Sequence, residues 1–338
     1  MRFVGLDVGT GNIVASEKKD DQFEYHKVKD VFFKIDPGNF MAGSAMNFGE
    51  SMLIKSGANF VKIGETIYIL GDDAFKFANL FHKECLRPMS NGVLNPAEPE
   101  STVMVSQLIK GVLGEPENED DIVYYSIPAD PIDADFDVTY HASTVKNVLS
   151  NVGYKNTYKM NEGLAIVYSE LEDEGFSGIG ISCGAGMVNV CYAFLGMPIF
   201  SFSIARSGDY IDKNAAIACN ETMNVIQHRK EAGMDLMNRK DNVENAIAIY
   251  YESLIEYIVD KFNELYSSTD PKSLPNISDP IKIVVAGGTS MVGGFIDVMK
   301  VKIEEEFPIP VASIELARDP LYSVSRGLYN AAKVKAES

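Results

Sequence analysis

"GLDVGTGN", residues 5–12, is an apolar run that ends on an acid and then turns on two glycines. The pattern returns near mid-chain: "VGLDVGTGNIVA" (4–15) sets over "IGISCGAGMVNV" (179–190) at a constant offset of 175 residues. Gly5 meets Gly180, Asp7 meets Ser182, Gly9 meets Gly184 and Gly11 meets Gly186. Each copy reads as strand, glycine turn, strand, and so as a β-hairpin. A glycine turn lets backbone N–H groups converge on anionic oxygens with no Cβ in the way. Thr10 and Asn12 add side-chain donors to the first turn. Asp7, at a strand end, is placed to hold the water shell of a magnesium ion, which keeps its waters and uses few carboxylates.

A second pair of segments follows the same plan. "DIVYYSIPAD" (121–130) is a buried-looking strand that leads into a helical segment, 134–152. "IKIVVAGGTSMVGG" (281–294) is likewise a strand and a glycine turn, leading into a helical segment, 294–306. Strands alternating with helices predict α/β domains with a largely parallel sheet. Two such halves facing each other would gather both hairpin turns and the "AGGTS" turn at one cleft. Ligands of α/β sheets bind there, beyond the strand ends.

The rest of the chain narrows the class. At 338 residues it suits two domains, and 46% hydrophobic with 23% charged residues is ordinary for a globular protein. The formal net charge of −18 argues against nucleic acid or anionic lipid as a main partner. The start, "RFVGLDVG", reads as a strand and not as a secretory signal. The most apolar stretch, 188–205, contains Asn189, Gly196 and Pro198, so two strands joined at "GMP" explain it better than a membrane span. Four cysteines without a C-x-x-C pair read as reduced thiols in a cytoplasmic setting. "DADFD" (133–137) lacks the later glycine and acid of a calcium loop. There is no G-x-x-x-x-G-K-[ST] and no G-x-G-x-x-G opening a helix after a strand, so P-loop and dinucleotide folds are set aside. Within 243–265, apolar residues at Ala246, Ile249, Tyr250, Leu254, Ile258 and Phe262 have helical spacing and predict a core-facing stripe.

Taken in order, these motifs resemble those of the actin-like ATPases, a group related to sugar kinases and the ATPase domains of heat-shock chaperones. "GLDVGTGN" is similar to the first phosphate motif, and "YSIPADP" (125–131) to the first connecting motif. "NEGLAIVYS" (161–169) resembles the helix with the water-positioning acid, and "GISCGAGMVNV" (180–190) the second phosphate motif. "VVAGGTSMVGGF" (284–295) resembles the adenosine motif, and "DPLYSVSRGLYNAA" (319–332) the second connecting motif. "YILGDDAF" (68–75), "LRPMSNGVL" (86–94) and "RSGDYIDKNAA" (206–216) bring the prokaryotic filament formers of the MreB and MamK type nearest.

The resemblance implies an α/β actin-like fold: two duplicated ribonuclease-H-like lobes around a nucleotide cleft, each with a smaller subdomain. The lobes would be 1–160, with a subdomain at about 33–77, and 161–338, with a subdomain at about 211–272. It implies ATP or ADP with Mg2+, and hydrolysis coupled to self-association into cytoskeletal filaments. Adaptor proteins are a further partner class, and direct membrane insertion is not expected. Residue by residue, it gives Glu162 the attacking water and Asp7 the metal, through water. Gly9, Thr10, Gly11, Asn12, Gly184, Ala185 and Gly186 would hold phosphates. Gly208 and Asp209 would lie near the sugar, and Gly287, Gly288 and Thr289 against the adenosine. Lys230 and Glu231, in "QHRKEAG" (227–233), would also reach the adenosine.

The chain leaves the family pattern in its second phosphate motif. Ser182, Ala185 and Met187 stand where an acid, a glycine and a threonine-like donor are expected. That implies slow hydrolysis, accelerated by Ser182→Asp. The alternatives are a non-polymerising nucleotide-binding scaffold or adaptor of the same fold, and a small-molecule kinase.

Overall fold

The computed structural model describes residues 1–35, 50–81, 83–275 and 279–337. The expected subdomain at 33–77 is therefore described only at 33–35 and 50–77, and its residues 36–49 lie outside the described residues. In the first half, β1 (Phe3–Val8), β2 (Asn12–Lys19) and β3 (Gln22–Lys29) form a meander. Next come β4 (Phe32–Ile35), α1 (Glu50–Ser56), β5 (Phe60–Ile63), β6 (Thr66–Leu70) and α2 (Asp72–Leu80). β7 (Met89–Ser90), β8 (Val93–Leu94), α3 (Ser101–Leu113), β9 (Ile122–Ile127), α4 (Thr139–Val152) and β10 (Asn156–Asn161) complete this half. The second half runs α5 (Glu162–Glu170), β11 (Gly178–Cys183), β12 (Val188–Phe194) and β13 (Met197–Ile204). It continues with α6 (Gly208–Cys219), α7 (Met223–Glu231), α8 (Asn242–Ser268) and β14 (Ile281–Ala286). A 3₁₀ turn (Gly288–Met291), α9 (Phe295–Glu306), β15 (Val311–Leu316) and α10 (Ser323–Glu337) end the described chain.

The duplication is structural. One five-stranded sheet has the order β10-β9-β1-β2-β3 and the other β15-β14-β11-β12-β13, the same order from the parallel edge inward. Register repeats too: Asp7 faces Val14 across β1–β2, and Ser182 faces Asn189 across β11–β12. Each turn closes with one bond, Gly9 N to Asn12 O at 3.1 Å and Gly184 N to Met187 O at 3.0 Å. The period of two along each strand and the glycines between account for both hairpins.

The two helices between the sheets cross over. α5 packs on β11 and β12, whereas α10 returns to pack on β1, β2 and β9, and the two helices pack on each other. The backbones approach closely at glycines. A Cβ on Gly5 would lie 1.9 Å from Ser325 O, and one on Gly180 would lie 2.2 Å from Gly163 O. These two glycines sit within strands, and their purpose is helix docking.

Two sequence expectations shift in detail and one holds. The helix expected from 134 begins at Thr139, because the Asp137 carboxylate accepts from Thr139 N at 2.6 Å and holds the chain in a turn until there. The stretch 188–205 is β12 and β13, as expected, joined through Leu195 and Gly196. The α8 stripe is displaced at its start. Ile247, Ala248 and Tyr251 are buried while Ile249 is exposed, and the predicted positions hold only from Leu254 through Ile258 to Phe262. Apolar residues occupy both faces of that helix's first turns, so periodicity alone selects the wrong one.

Candidate functional site

The two hairpin turns meet at a cleft of about 530 Å³. Asp7, Gly9, Thr10, Gly11 and Asn12 line it from β1–β2, and Gly184, Ala185 and Gly186 from β11–β12. Glu162 enters from the start of α5, and Gly208 and Asp209 from the start of α6. Lys230 and Glu231 come from the end of α7, and Gly287, Gly288 and Thr289 from the 3₁₀ turn. Every residue singled out from sequence therefore borders one cavity. The volume is in the range of small-molecule and cofactor sites, roughly 300–1,000 Å³.

Local bonds shape both turns. Thr289 Oγ1 donates to Gly184 O at 2.7 Å, Asp209 N to Ala185 O at 2.8 Å, and Ser207 Oγ also donates to Ala185 O. These bonds draw the carbonyls of the second turn back into its own half. Thr10 Oγ1 accepts from Gly92 N at 2.9 Å, tying the first turn to the β7–β8 hairpin. Among the described residues, the N–H groups of Thr10, Gly11, Ala185 and Gly186 have no acceptor in the chain. Two pairs of free amides lining one cavity suit an anion with several oxygens.

The acids lie between the turns. Asn161 caps α5, its Oδ1 accepting from Gly163 N at 2.9 Å, and so fixes where Glu162 leaves the backbone. Ser182 Oγ donates to Glu162 Oε2 at 2.9 Å. In the other half Ser126 Oγ donates to Asp7 Oδ1 at 2.9 Å and accepts from Val8 N at 2.8 Å. Burial pushes the Asp7 carboxyl above the usual carboxylate range, with the Ser126 bond opposing it. Burial raises Glu162 further, the neighbouring Asp7 charge adds to the rise, and Ser182 and Asn189 favour its ionised form. Two half-buried carboxylates whose charges oppose each other match a divalent cation held through water.

Several candidates already have partners. Arg87 Nη1 reaches Asp209 at 2.8 and 2.9 Å, an ion pair that spans the cleft from one half to the other. Lys230 Nζ sits 2.6 Å from Asp212 Oδ1 with both side chains nearly buried. Glu231 accepts from Gln227 Nε2 at 3.0 Å. Met187 does not offer itself to the cavity as a donor would. It is buried, and its Sδ would lie 2.5 Å from a Cβ on Gly92, whose φ of +71° excludes most side chains. The first glycine turn thus touches Gly92, against which a thioether from the opposite hairpin packs.

Arg87, Asp212, Lys27 and Lys29 also line the cavity, and Ser126 and Asn189 support its acids; none of the six belongs to a glycine turn. One signal for the β7–β8 contact was present: Asn91–Gly92, a dipeptide that favours the tight turn with both φ positive, here 49° and 71°.

The family model described as Volactin matches residues 1–332. This chain belongs to the Volactin family. No curated protein matches it. Among solved structures, this Volactin-family chain is similar to the MamK double helical filament, at 18% identity over 98% of both chains with a TM-score of 0.72. It is similar to MreB5 of Spiroplasma citri bound to AMPPNP, at 15% identity over 99% of this chain and 97% of that one, TM-score 0.69. It is also similar to apo psk41 ParM, at 14% identity over 99% and 98% of the two chains, TM-score 0.56. The fold is that of the prokaryotic actin-like proteins, with two lobes, as the order of motifs implies. No described helix is long and apolar enough to cross a membrane.

Proposed function

We propose that this Volactin-family chain binds ATP with magnesium in the cleft, hydrolyses it, and assembles head to tail into cytoplasmic filaments. One observation carries the reading: the two duplicated turns present four free amides to the cavity that also holds Asp7 and Glu162. Similarity to MreB5 bound to AMPPNP and to the MamK filament supports it. The proposed lobes are 1–160 and 161–338, with the smaller subdomains at about 33–77 and 211–272.

Bound ATP brings the reactive anhydride, and magnesium offsets charge on its phosphates. The chain's own residues do the rest. The amides of Thr10, Gly11, Ala185 and Gly186 hold phosphate oxygens. Asp7 would hold the metal through its water shell. Glu162 accepts a hydrogen bond from the attacking water and so orients it; its Oε2 is already taken by Ser182, leaving Oε1 for that task. Gly287, Gly288 and Thr289 would lie against the adenosine, and Lys230 and Glu231 would also reach it. Gly208 and Asp209 lie at the sugar, where Arg87 shares Asp209. Head-to-tail contacts are heterologous and do not close, so they propagate as filaments.

Calorimetry with Mg-ATP, phosphate release, and pelleting with electron microscopy test the three parts. Glu162→Ala is expected to keep nucleotide affinity and lose roughly 100-fold in turnover. No binding at millimolar nucleotide would sink the reading. Binding without polymer at any concentration would leave the non-polymerising scaffold.

A further inference from the structure

We propose that Ser182 is the positioning residue for Glu162 and not a weakened metal ligand, an inference that rests on the ATPase reading above. A serine hydroxyl has one proton to give, and here it goes to Glu162 Oε2 at 2.9 Å. Ser182 is 3% exposed, so bulk water does not compete for that proton. Its cross-strand partner, Asn189, is fully buried. Asn189 Oδ1 accepts from Ala129 N at 2.8 Å, which fixes the side chain. The Asn189 amide nitrogen has no hydrogen-bond acceptor among the described residues, and its influence on Glu162 favours the ionised acid. Ser182 therefore makes the hydrogen bond to the Glu162 carboxylate, while Asn161 fixes the helix start from which that side chain leaves.

The internal repeat shows why a neutral residue belongs at this place. In the first half the equivalent position is Asp7, an acid that itself takes a proton-sharing bond from Ser126. In the second half Glu162 already occupies the space in front of β11. An aspartate at 182 would add a third carboxylate to two that already oppose each other's charge. It would also replace a donor to Glu162 with an acceptor. The serine thus suits a site in which the acid sits on the helix, and the expected gain from Ser182→Asp is reversed.

The test uses the full chain. Ser182→Ala is expected to lower kcat about tenfold or more while KM for Mg-ATP stays within about twofold, the loss of one charge-assisted bond made to a reacting group. Ser182→Thr, which restores the hydroxyl, recovers most of that rate. Ser182→Asp lowers kcat as well, and the Mg2+ requirement does not fall. A faster Ser182→Asp enzyme, or one saturated at lower Mg2+, overturns the proposal in favour of a lost metal ligand; so does an unchanged Ser182→Ala. A crystallographic arm reads the claim without turnover. Glu162 should leave its wild-type position in Ser182→Ala crystals, nucleotide-free or with Mg-AMPPNP, and keep it in Ser182→Thr. An unmoved carboxylate in the alanine variant overturns the proposal even if ATP proves not to be a substrate. Calorimetry on the wild type reports separately on whether nucleotide binds at all.

Discussion

Two helical glycines should respond in opposite directions to the same substitution. Gly111 lies in α3, and a Cβ there would meet nothing within 4 Å. Gly327 lies in α10, buried where that helix crosses α5, and a Cβ there would lie 1.7 Å from Ala165 O and 2.6 Å from Ala165 C. Helix propensity favours alanine at both sites by about 0.8–1 kcal/mol. At Gly111 that gain stands alone, so Gly111→Ala should raise Tm by a few degrees, since about 1 kcal/mol shifts a domain of this order by roughly 2–4 °C. At Gly327 the obstacle is backbone, which no rotamer change relieves. Ordinary contact begins near 3.4 Å, about 1.7 Å further out, so the two crossing helices must part by about that much. Overpacking of this kind costs typically 1–3 kcal/mol, and a rigid backbone neighbour puts it at the upper end. Set against the propensity gain, Gly327→Ala should lose about 2 kcal/mol and several degrees in Tm. Because α5 starts at Glu162, turnover should fall with it. Thermal and guanidinium melts of the two variants decide the matter. A rise in stability for both would refute the close crossing of α5 and α10.

Two further outcomes follow from buried charge. Asp30 is fully buried beneath the first turn, its N–H donating to Gly11 O at 3.2 Å. Burial holds its carboxyl well above the usual range, with Arg87 and the Met89 backbone offsetting only part. A raised folded-state pKa means that stability is lost as pH rises through it, so Asp30→Asn should match the wild type near pH 4 and exceed it by pH 8. Denaturant titrations at both pH values check this, and a variant less stable at pH 8 would contradict it. Removing one member of the Lys230–Asp212 pair should be costly. Lys230→Met is expected to lose roughly 3 kcal/mol, and Lys230→Met with Asp212→Leu to recover much of it, because a lone buried charge costs more than none. If the double variant is no better than the single one, the pair is not what holds α7 to α6.

Much of the cleft was legible because its chemistry is local. A glycine turn between two strands is written in a dozen consecutive residues, and a repeat at constant offset shows that it occurs twice. Asn161 before Glu162 is a cap readable from two neighbours. What escaped was contact at a distance. Asp209 was expected near the sugar, but its ion pair with Arg87, which joins residues 122 apart in sequence, was not foreseen. Met187 looked like a missing donor, and its packing against Gly92 comes from the other hairpin. The α8 stripe slipped because both faces of that helix's first turns carry apolar residues, and only the neighbouring sheet chooses between them.

The sequence by itself determined the two-lobed plan, the hairpin turns and the residues that meet at the cleft, since turn geometry and strand period depend on near neighbours. Only the tertiary structure decided what those residues do to one another. Gly5 and Gly180 read as members of the strand-like runs, and packing shows what they are for: each admits a crossing helix. Ser182 read as an acid that had been lost, but its hydroxyl is spent on Glu162. Docking clearance and the direction of a shared proton are properties of pairs brought together by packing, and no single segment contains them.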